Sequence, residues 1–193
     1  MILSNLIGCV FMIENEFKAM LNREQFDKIM NELMCKYQIE KSILQVNYYY
    51  DTEDFSLARQ NASLRVRQKE KGLVLEYKHK NAIVGSVRKS EEKKSEIAIL
   101  PKKIVLSQYF SAINNKEENI YVGNLITERI NFNIDGAIIS LDKNYYLGNC
   151  DYELEIEAHT IEQINNEKNN LQINFTANRV GKYKRFYNAL SAW

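Results

Sequence analysis

Eight segments of the chain alternate between apolar and polar side chains with a period of two, which is typical of strands that bury one face. They cover residues 13–21, 44–51, 63–69, 73–80, 95–100, 125–132, 137–143 and 152–158. Gly72, Gly85, Gly136 and Gly148 lie near the ends of several segments and supply the turn conformations that hairpins need. The pattern predicts a mostly antiparallel sheet.

Apolar residues recur at helical spacing in four further segments. The first follows Asn22, and Gln25 three residues later completes a capping box. The second begins at Pro101, the third follows Thr160, and the fourth starts near Val180. Amphipathic helices beside a large antiparallel sheet indicate an α+β fold.

Four of the predicted strands carry their charges on one face, because residues two apart on a strand point to the same side. The four sets are Glu14, Glu16 and Lys18; Arg65, Arg67 and Lys69; Glu76, Lys78 and Lys80; and Glu153, Glu155 and Glu157. Each set alone fits an ordinary strand with one face in water. Together they are unusual, since a row of like charges repels itself unless opposite charges neutralise it.

A sheet that curls into a barrel would turn these charged faces inward and leave the apolar faces for the helices to cover. Inside such a barrel, carboxylate oxygens suit Mg²⁺ or Mn²⁺, and arginine and lysine side chains suit phosphate oxygens. The pattern therefore predicts an interior site where a metal ion and a polyphosphate bind together.

Composition narrows the function further. The 26 lysines and arginines nearly balance the 25 aspartates and glutamates, so we expect no nucleic-acid or membrane partner, and any polyanion site must be local.

With one proline and seven glycines there is no linker, and residues 13–193 read as a single domain. Residues 1–12 read as a leader, with the natural start expected at Met12. Three widely spaced cysteines favour a reducing cytoplasm.

A series of short motifs follows in order along the chain. They are Glu-x-Glu-x-Lys at 14–18, Tyr-x-Asp-Thr at 49–52, Leu-Arg-x-Arg at 64–67, Leu-x-x-Lys at 75–78, Thr-Glu-Arg at 127–129, Leu-Asp at 141–142 and alternating glutamates at 153–157. The set resembles the signature of the CYTH superfamily, the triphosphate tunnel metalloenzymes. The resemblance implies an eight-stranded antiparallel β-barrel, a tunnel with helices packed outside, which binds a triphosphate with magnesium or manganese.

The resemblance also implies roles for the charged residues, position by position. The implied metal-binding carboxylates are Glu14, Glu16, Glu155 and Glu157, with Glu153 joining or tuning them. The implied phosphate ligands are Arg65, Arg67, Lys78 and Arg129. Lys18 would lie at the metal-bound end of the triphosphate and act in catalysis with Glu14 and Glu16. Lys182 and Lys184 resemble basic residues of a C-terminal helix that closes one mouth.

The chain departs from the family pattern on two strands. Glu76 stands where relatives have threonine, and it could pair with a phosphate ligand or change the charge of the tunnel. On the fifth strand, where relatives have an arginine followed by alternating glutamates, only Lys94 and Glu96 remain. The contacts of that strand are therefore left open.

Two reactions fit such a tunnel. In the first, a metal-activated water attacks the terminal phosphorus of inorganic triphosphate or thiamine triphosphate. In the second, that of a class IV adenylate cyclase, the ribose hydroxyl of ATP attacks the α-phosphorus and pyrophosphate leaves. We favour hydrolysis, because no set of residues clearly forms a pocket that would recognise adenine. Tyr48, Tyr49, Tyr145 or Tyr146 could stack on a thiamine ring, and a non-catalytic polyphosphate- or nucleotide-binding module stays open.

Overall fold

The computed structural model describes residues 15–70, 72–84, 87–172, 178 and 180–192, with the backbone alone for 80–84 and 87–91. The predicted leader, residues 1–12, lies outside the described residues, as does Gly85. Among the helices in the described ranges, none is both long and apolar enough to cross a membrane.

The described part of the chain contains nine strands and five helices. In chain order they are β1 (Asn15–Leu21), α1 (Arg23–Lys36), β2 (Lys41–Asp51), α2 (Ser56–Arg59), β3 (Ala62–Lys69), β4 (Gly72–Val84), β5 (Val87–Ile97), β6 (Lys103–Val105), α3 (Leu106–Tyr109), β7 (Glu118–Ile134), β8 (Ala137–Tyr146), β9 (Asn149–Ala158), α4 (Ile161–Asn170) and α5 (Lys182–Leu190).

All these strands belong to one antiparallel sheet. Eight of them follow the path β1-β9-β8-β7-β2-β3-β4-β5, and β6 pairs with β7 beside this path. The strands at the two ends of the path, β1 and β5, approach each other to within 8 Å between Cα atoms. The sheet therefore curls into a barrel, which confirms the predicted fold, although this pair of strands comes together without ladder hydrogen bonds among the described residues.

Apolar side chains cover two regions of the outer surface of the barrel. Helices α1 and α4 contribute Ile29, Leu33 and Ile164, which pack against Leu154 and Ile156 of β9. The second cluster joins the outer residues of β3 and β4 to α2, β6 and α3; its buried members include Leu57, Leu64, Val66, Leu75, Ile104 and Leu106. The apolar faces predicted for these strands are thus buried by helices and loops.

Both predicted capping boxes are present. At the start of α1, the Asn22 side chain accepts from the backbone N–H of Gln25 at 2.8 Å, and the Gln25 side chain accepts from the N–H of Asn22. Thr160 and Gln163 form the same pair at the start of α4. Each box satisfies backbone donors that the first helical turn leaves free, which fixes where each helix begins.

Two predicted elements differ from the structure. The helix expected from Pro101 is a short strand, β6, followed by one turn of helix, because Ile104 is buried against β3 and β4 while β6 pairs with the start of β7. The strand expected at 95–100 ends at Ile97 and begins earlier, at Val87. Residues 87–97 are too uniformly charged to show the alternation, so pairing with β4 places this strand.

Candidate active site

The charged strand faces meet in the interior of the barrel. Residues directly opposite each other in an antiparallel pair point to the same side of the sheet. Lys18 on β1 lies opposite Glu155 on β9, and Glu153 on β9 lies opposite Asp142 on β8. Asp142 in turn lies opposite Arg129 on β7. Four neighbouring strands therefore bring their charged residues together on one inner surface.

Three carboxylates converge on this inner surface. Asp142, Glu153 and Glu155, here called the acidic cluster, are buried, and each offers an oxygen to a group whose members lie within 4.8 Å of one another. Groups of hard oxygen ligands such as this hold divalent metal ions. Oε1 of Glu153 is buried without a hydrogen-bond partner among the described residues, so the cluster has an acceptor still to offer.

Lysine and arginine side chains neutralise the acidic cluster. Nζ of Lys182 lies 2.7 Å from an oxygen of each of the three carboxylates. Nζ of Lys18 lies 2.9 Å from Oε1 of Glu155, and Arg129 donates twice to Asp142 at 2.7 Å. Burial favours a raised pKa for Glu155, but these three cations outweigh it and hold the pKa well below its usual value. Glu155 is therefore ionised at neutral pH.

Two further glutamates extend the acidic surface along β1 and β9. Glu16 and Glu157 lie opposite each other, two residues along from Lys18 and Glu155 on the same face. Oε1 of Glu16 lies 2.5 Å from Nζ of Lys18. Glu14, predicted as a metal-binding and catalytic residue, lies outside the described residues.

Guanidinium groups of β3 lie on the other side of the interior, four strands from β9 along the path of eight. Nη2 of Arg65 lies 2.7 Å from Oε2 of Glu76, whereas Nε of Arg67 is 3.8 Å from that oxygen and donates to Oδ1 of Asn47 at 3.0 Å. Burial first, and then the positive charges of Arg65 and Arg129, lower the pKa of Arg67 to about 10. Three half-buried guanidinium groups thus lie close enough in the interior to affect one another, which favours binding of a polyanion.

Lys78 on β4 has a carboxylate partner on β5. Its Nζ lies 2.6 Å from Oε1 of Glu92, and Nζ of Lys94 lies 3.2 Å from the other oxygen of Glu92. Burial favours a raised pKa for Glu92, but Lys78 and Lys94 outweigh it and lower the pKa to about 2. The fifth strand therefore supplies a pair for Lys78.

The Glu92 pair predicts a dependence of stability on pH. Since the folded pKa of about 2 lies below the usual 4.5, the contribution is complete above about pH 4.5 and is lost as pH falls towards 2. We expect Glu92→Gln to cost about 1 kcal/mol or less at pH 7, since the pair is partly solvated. That corresponds to a Tm about 2–4 °C below that of the wild type, and this difference in Tm should narrow below pH 4.5.

Circular dichroism melts of both proteins between pH 7 and 3 check this prediction. Glu96→Gln, an exposed glutamate on the same strand, is the matched control and should melt like the wild type at every pH. A gap for Glu92→Gln that stays constant across the whole range would contradict the assignment.

Helix α5 closes one mouth of the barrel. Phe186 is fully buried and packs against Tyr49 and Leu125, whose neighbours across the sheet, Arg65 and Asn47, belong to the inner surface. These ring contacts are close, with 5.2 Å between the centroids of Tyr49 and Phe186. Unlike the other helices, α5 therefore packs onto the interior of the barrel and not onto its outside.

Asp51, at the end of β2, is hydrogen-bonded to both α2 and α5. Its carboxylate accepts hydrogen bonds from the backbone N–H groups of Thr52, Leu57 and Ala58 at 2.8, 2.9 and 3.0 Å. It also accepts from the hydroxyl of Tyr183 on α5 at 2.6 Å. The Tyr-x-Asp-Thr motif thus holds the closing helix in place.

Gly123 on β7 leaves the space into which the Phe186 ring packs. A Cβ at this position would lie 2.6 Å from Cζ of Phe186, and the backbone has a φ of +143°, which side chains rarely tolerate. We expect Gly123→Ala to cost about 3 kcal/mol, from strain and overpacking together. Gly148→Ala, at a positive φ with open space around it, should cost only about 1 kcal/mol. Urea unfolding measures both, and equal losses would contradict this packing.

The opposite mouth leads into a cavity of about 320 Å³. Its lining residues are Lys41, Ile43, Gln45, Arg67, Lys69 and Glu70. On β2, Lys41 and Gln45 lie at this mouth, whereas Tyr49 lies at the mouth that α5 closes. Of the three guanidinium groups, that of Arg67 is the one that lines this cavity.

A family model described as the CYTH domain matches residues 12–187. The chain belongs to the CYTH domain family. The match covers the barrel and most of α5, and it confirms the resemblance that the ordered motifs predicted.

Known proteins with the CYTH domain agree with this assignment. YjbK of Bacillus subtilis (strain 168), provisionally assigned as a triphosphatase, is 34% identical over 152 residues, which is 76% of this chain and 77% of YjbK. A Bacillus halodurans protein provisionally assigned as an adenylate cyclase has a TM-score of 0.69 at 24% identity, covering 91% of this chain and 97% of its own. HpAC1 from Hippeastrum, provisionally an adenylyl cyclase but with a dominant triphosphatase activity, has a TM-score of 0.71 at 20% identity, covering 91% and 95%.

Most of the residues that the CYTH signature singled out face the interior. Lys184 does not join them, because it is exposed and its Nζ lies 4.5 Å from the centre of the Tyr187 ring. Glu76 pairs with Arg65, one of the two outcomes that its departure from the family motif left open. Among the tyrosines considered for ring stacking, Tyr49 is buried beneath α5.

Sequence reasoning missed the roles of two residues of this CYTH domain. Asp142 was only part of the Leu-Asp motif, and its place in the acidic cluster follows from the register of β8 against β9. Arg185 contacts Asp151 and Glu153, each at 2.9 Å, one helical turn after Lys182. Spacing along α5 could have suggested Arg185, since residues three apart on a helix share a face.

Proposed function

We propose that this protein hydrolyses a triphosphate in a metal-dependent reaction inside the barrel, with inorganic triphosphate as the preferred substrate. One observation carries the proposal: a buried acidic cluster and three half-buried guanidinium groups line the same interior, which is open at one mouth. A triphosphate with its metal ion matches both charges at once, because phosphate oxygens suit the arginines and the cation suits the carboxylates.

The metal ion we propose is Mg²⁺ or Mn²⁺. The donors are carboxylates only, which hard cations prefer, and the buried Oε1 of Glu153 lacks a partner among the described side chains. Asp142, Glu153 and Glu155 would hold the ion, with Glu16 and Glu157 beside them. When bound, the ion supplies positive charge that polarises the phosphoryl oxygens and activates water. By its place in the motif, Glu14 joins this set.

The substrate phosphates are proposed to bind to Arg65, Arg67, Arg129, Lys78 and Lys18. Arg67 has the strongest claim, because its closest carboxylate among the described residues is 3.8 Å away. The guanidinium forks offset the negative charge that spreads over the equatorial oxygens of the transferred phosphoryl group.

Hydrolysis then needs one proton acceptor. Water forms a new bond to the terminal phosphorus, the bridging P–O bond breaks, and a glutamate of the interior accepts the water proton. The products are orthophosphate and pyrophosphate.

The open mouth favours inorganic triphosphate over a nucleotide. The described residues that line the cavity are charged, amide or aliphatic, and they provide no aromatic ring on which a base or a thiamine ring could stack. Tyr48 lies outside the barrel with the second apolar cluster. An adenylate cyclase therefore stands as the second candidate, supported by the provisional assignment of the Bacillus halodurans relative.

Product analysis tests the proposal. Purified protein is incubated with Mn²⁺ and, separately, with inorganic triphosphate, thiamine triphosphate and ATP, and phosphate, pyrophosphate and cyclic AMP are separated. We expect phosphate and pyrophosphate from inorganic triphosphate at the highest rate. Cyclic AMP with matching pyrophosphate would instead establish the cyclase, and metal-dependent binding without turnover would establish a binding module.

We infer that the protein works in the cytoplasm. The two described cysteines, Cys35 and Cys150, are exposed free thiols, which a reducing compartment preserves.

A further inference from the structure

The ammonium group of Lys182 lies where the acidic cluster would coordinate a metal ion. Nζ is 2.7 Å from Oδ2 of Asp142, Oε2 of Glu153 and Oε1 of Glu155, and its side chain is 12% exposed. An ammonium group has three hydrogen atoms to donate, so one carboxylate for each uses its full capacity. No other lysine among the described residues contacts all three carboxylates.

A divalent cation and this ammonium group cannot share the cluster. A bound Mg²⁺ or Mn²⁺ sits about 2.1 Å from its oxygen ligands, and Lys182 already contacts one oxygen of each of the three carboxylates. The two cations would then lie only a few ångströms apart in a buried region, where the repulsion between them is weakly screened. Binding of one therefore opposes binding of the other.

We propose that Lys182 is a resident counter-ion of the metal site, which a divalent cation must displace in order to bind. This inference rests on the proposed function, because it takes the acidic cluster as the metal site. It goes beyond that function by making metal affinity depend on a residue that is not a metal ligand. Once displaced, the ammonium group is free to donate to a phosphate oxygen at the same end of the tunnel.

The attachment of α5 allows Lys182 to withdraw while the helix stays in place. The later residues are firmly held, since Tyr183 donates to Asp51 and Phe186 is buried against Gly123. Lys182 is the first residue of the helix, and Gly181 before it provides no side-chain cap. The flexible stem of the lysine can therefore swing away from the cluster without unpacking the mouth.

Manganese binding in the absence of substrate tests the proposal. Electron paramagnetic resonance counts free Mn²⁺ as the ion is titrated into wild type, Lys182→Met and Lys184→Met. Methionine keeps the length of the lysine stem and removes its charge. We expect Lys182→Met to bind Mn²⁺ about tenfold more tightly or better, as for competing ligands in general. Lys184→Met, the control on the exposed side of α5, should bind like the wild type.

Thermal unfolding with and without Mn²⁺ is a second test, which still applies if Lys182→Met is poorly folded without metal. An ion stabilises a protein more the more tightly it binds the folded state, so Mn²⁺ should raise the Tm of Lys182→Met by more than that of the wild type. Equal or weaker binding in Lys182→Met, alongside normal phosphate release by the wild type, would overturn this inference alone. Failure of Mn²⁺ to bind either protein would overturn the inference and the metal site together.

Discussion

Replacing Glu155 by glutamine is expected to reduce metal-dependent phosphate release from inorganic triphosphate by more than about a hundredfold, because even groups that only support metal ligands cost 10–100-fold. Glu155 contacts Lys18, Arg129 and Lys182 and belongs to the acidic cluster, so no other carboxylate among the described residues has so central a position. Glutamine keeps the shape of the side chain but removes the charge. Steady-state measurement of kcat/KM against Mn²⁺ concentration gives the size of the loss.

Glu128→Gln is the matched control for this variant. Glu128 precedes Arg129 on β7 but is exposed, and it contacts the hydroxyl of Tyr145. The same isosteric change should leave kcat/KM within about twofold of the wild type, as for surface sites in general. Circular dichroism spectra confirm that both variants are folded. Full activity in folded Glu155→Gln would remove the acidic cluster from the mechanism.

Replacing Asp51 by alanine is expected to give the largest loss of stability. The carboxylate is fully buried and accepts from three backbone N–H groups and the Tyr183 hydroxyl. Removing it leaves buried donors without a partner, which we expect to cost about 4 kcal/mol. In a domain of this size that lowers Tm by about 10 °C. Chemical denaturation measures the free energy directly.

Two further variants bracket the Asp51 result. Tyr183→Phe removes only the contact with α5 and should cost about 2 kcal/mol, typical of one hydrogen bond to a charged group. Asp27→Ala, an exposed aspartate whose ion pair with Arg23 spans 3.6 Å, should change the free energy of unfolding by less than about 0.5 kcal/mol. If Asp51→Ala were as stable as Asp27→Ala, Asp51 would not anchor these two helices.

The alternation of the strands was enough to predict much of this molecule. The charged and apolar faces of β3 and β9 follow from side-chain geometry, so the sequence alone places Arg65 and Arg67 inside, and Leu64 and Val66 outside. The capping boxes at Asn22 and Thr160 are equally local, and both are confirmed. Local rules suffice where a residue and its partner are close in sequence.

Contacts between distant segments could not be predicted in the same way. Lys182 lies 40 residues after Asp142, and nothing in the spacing shows that its ammonium group enters the acidic cluster. The apolar residues of α5 predict an amphipathic helix, but they do not show that it packs onto the interior. That orientation depends on the contact between Phe186 and Gly123. Likewise, β6 is a strand because it pairs with the start of β7, although its own sequence pattern predicts a helix.

The position of bound metal is the most direct test that the acidic cluster inside the barrel is the metal site. Crystals grown with Mn²⁺ and a triphosphate analogue whose bridging oxygens are replaced by NH groups would reveal the ion by anomalous scattering. We expect the strongest peak at coordination distance from Glu155 and the acidic cluster, with the phosphates extending towards Arg67 and the open mouth. Manganese and analogue bound only on the outer surface, with the interior unchanged, would contradict it.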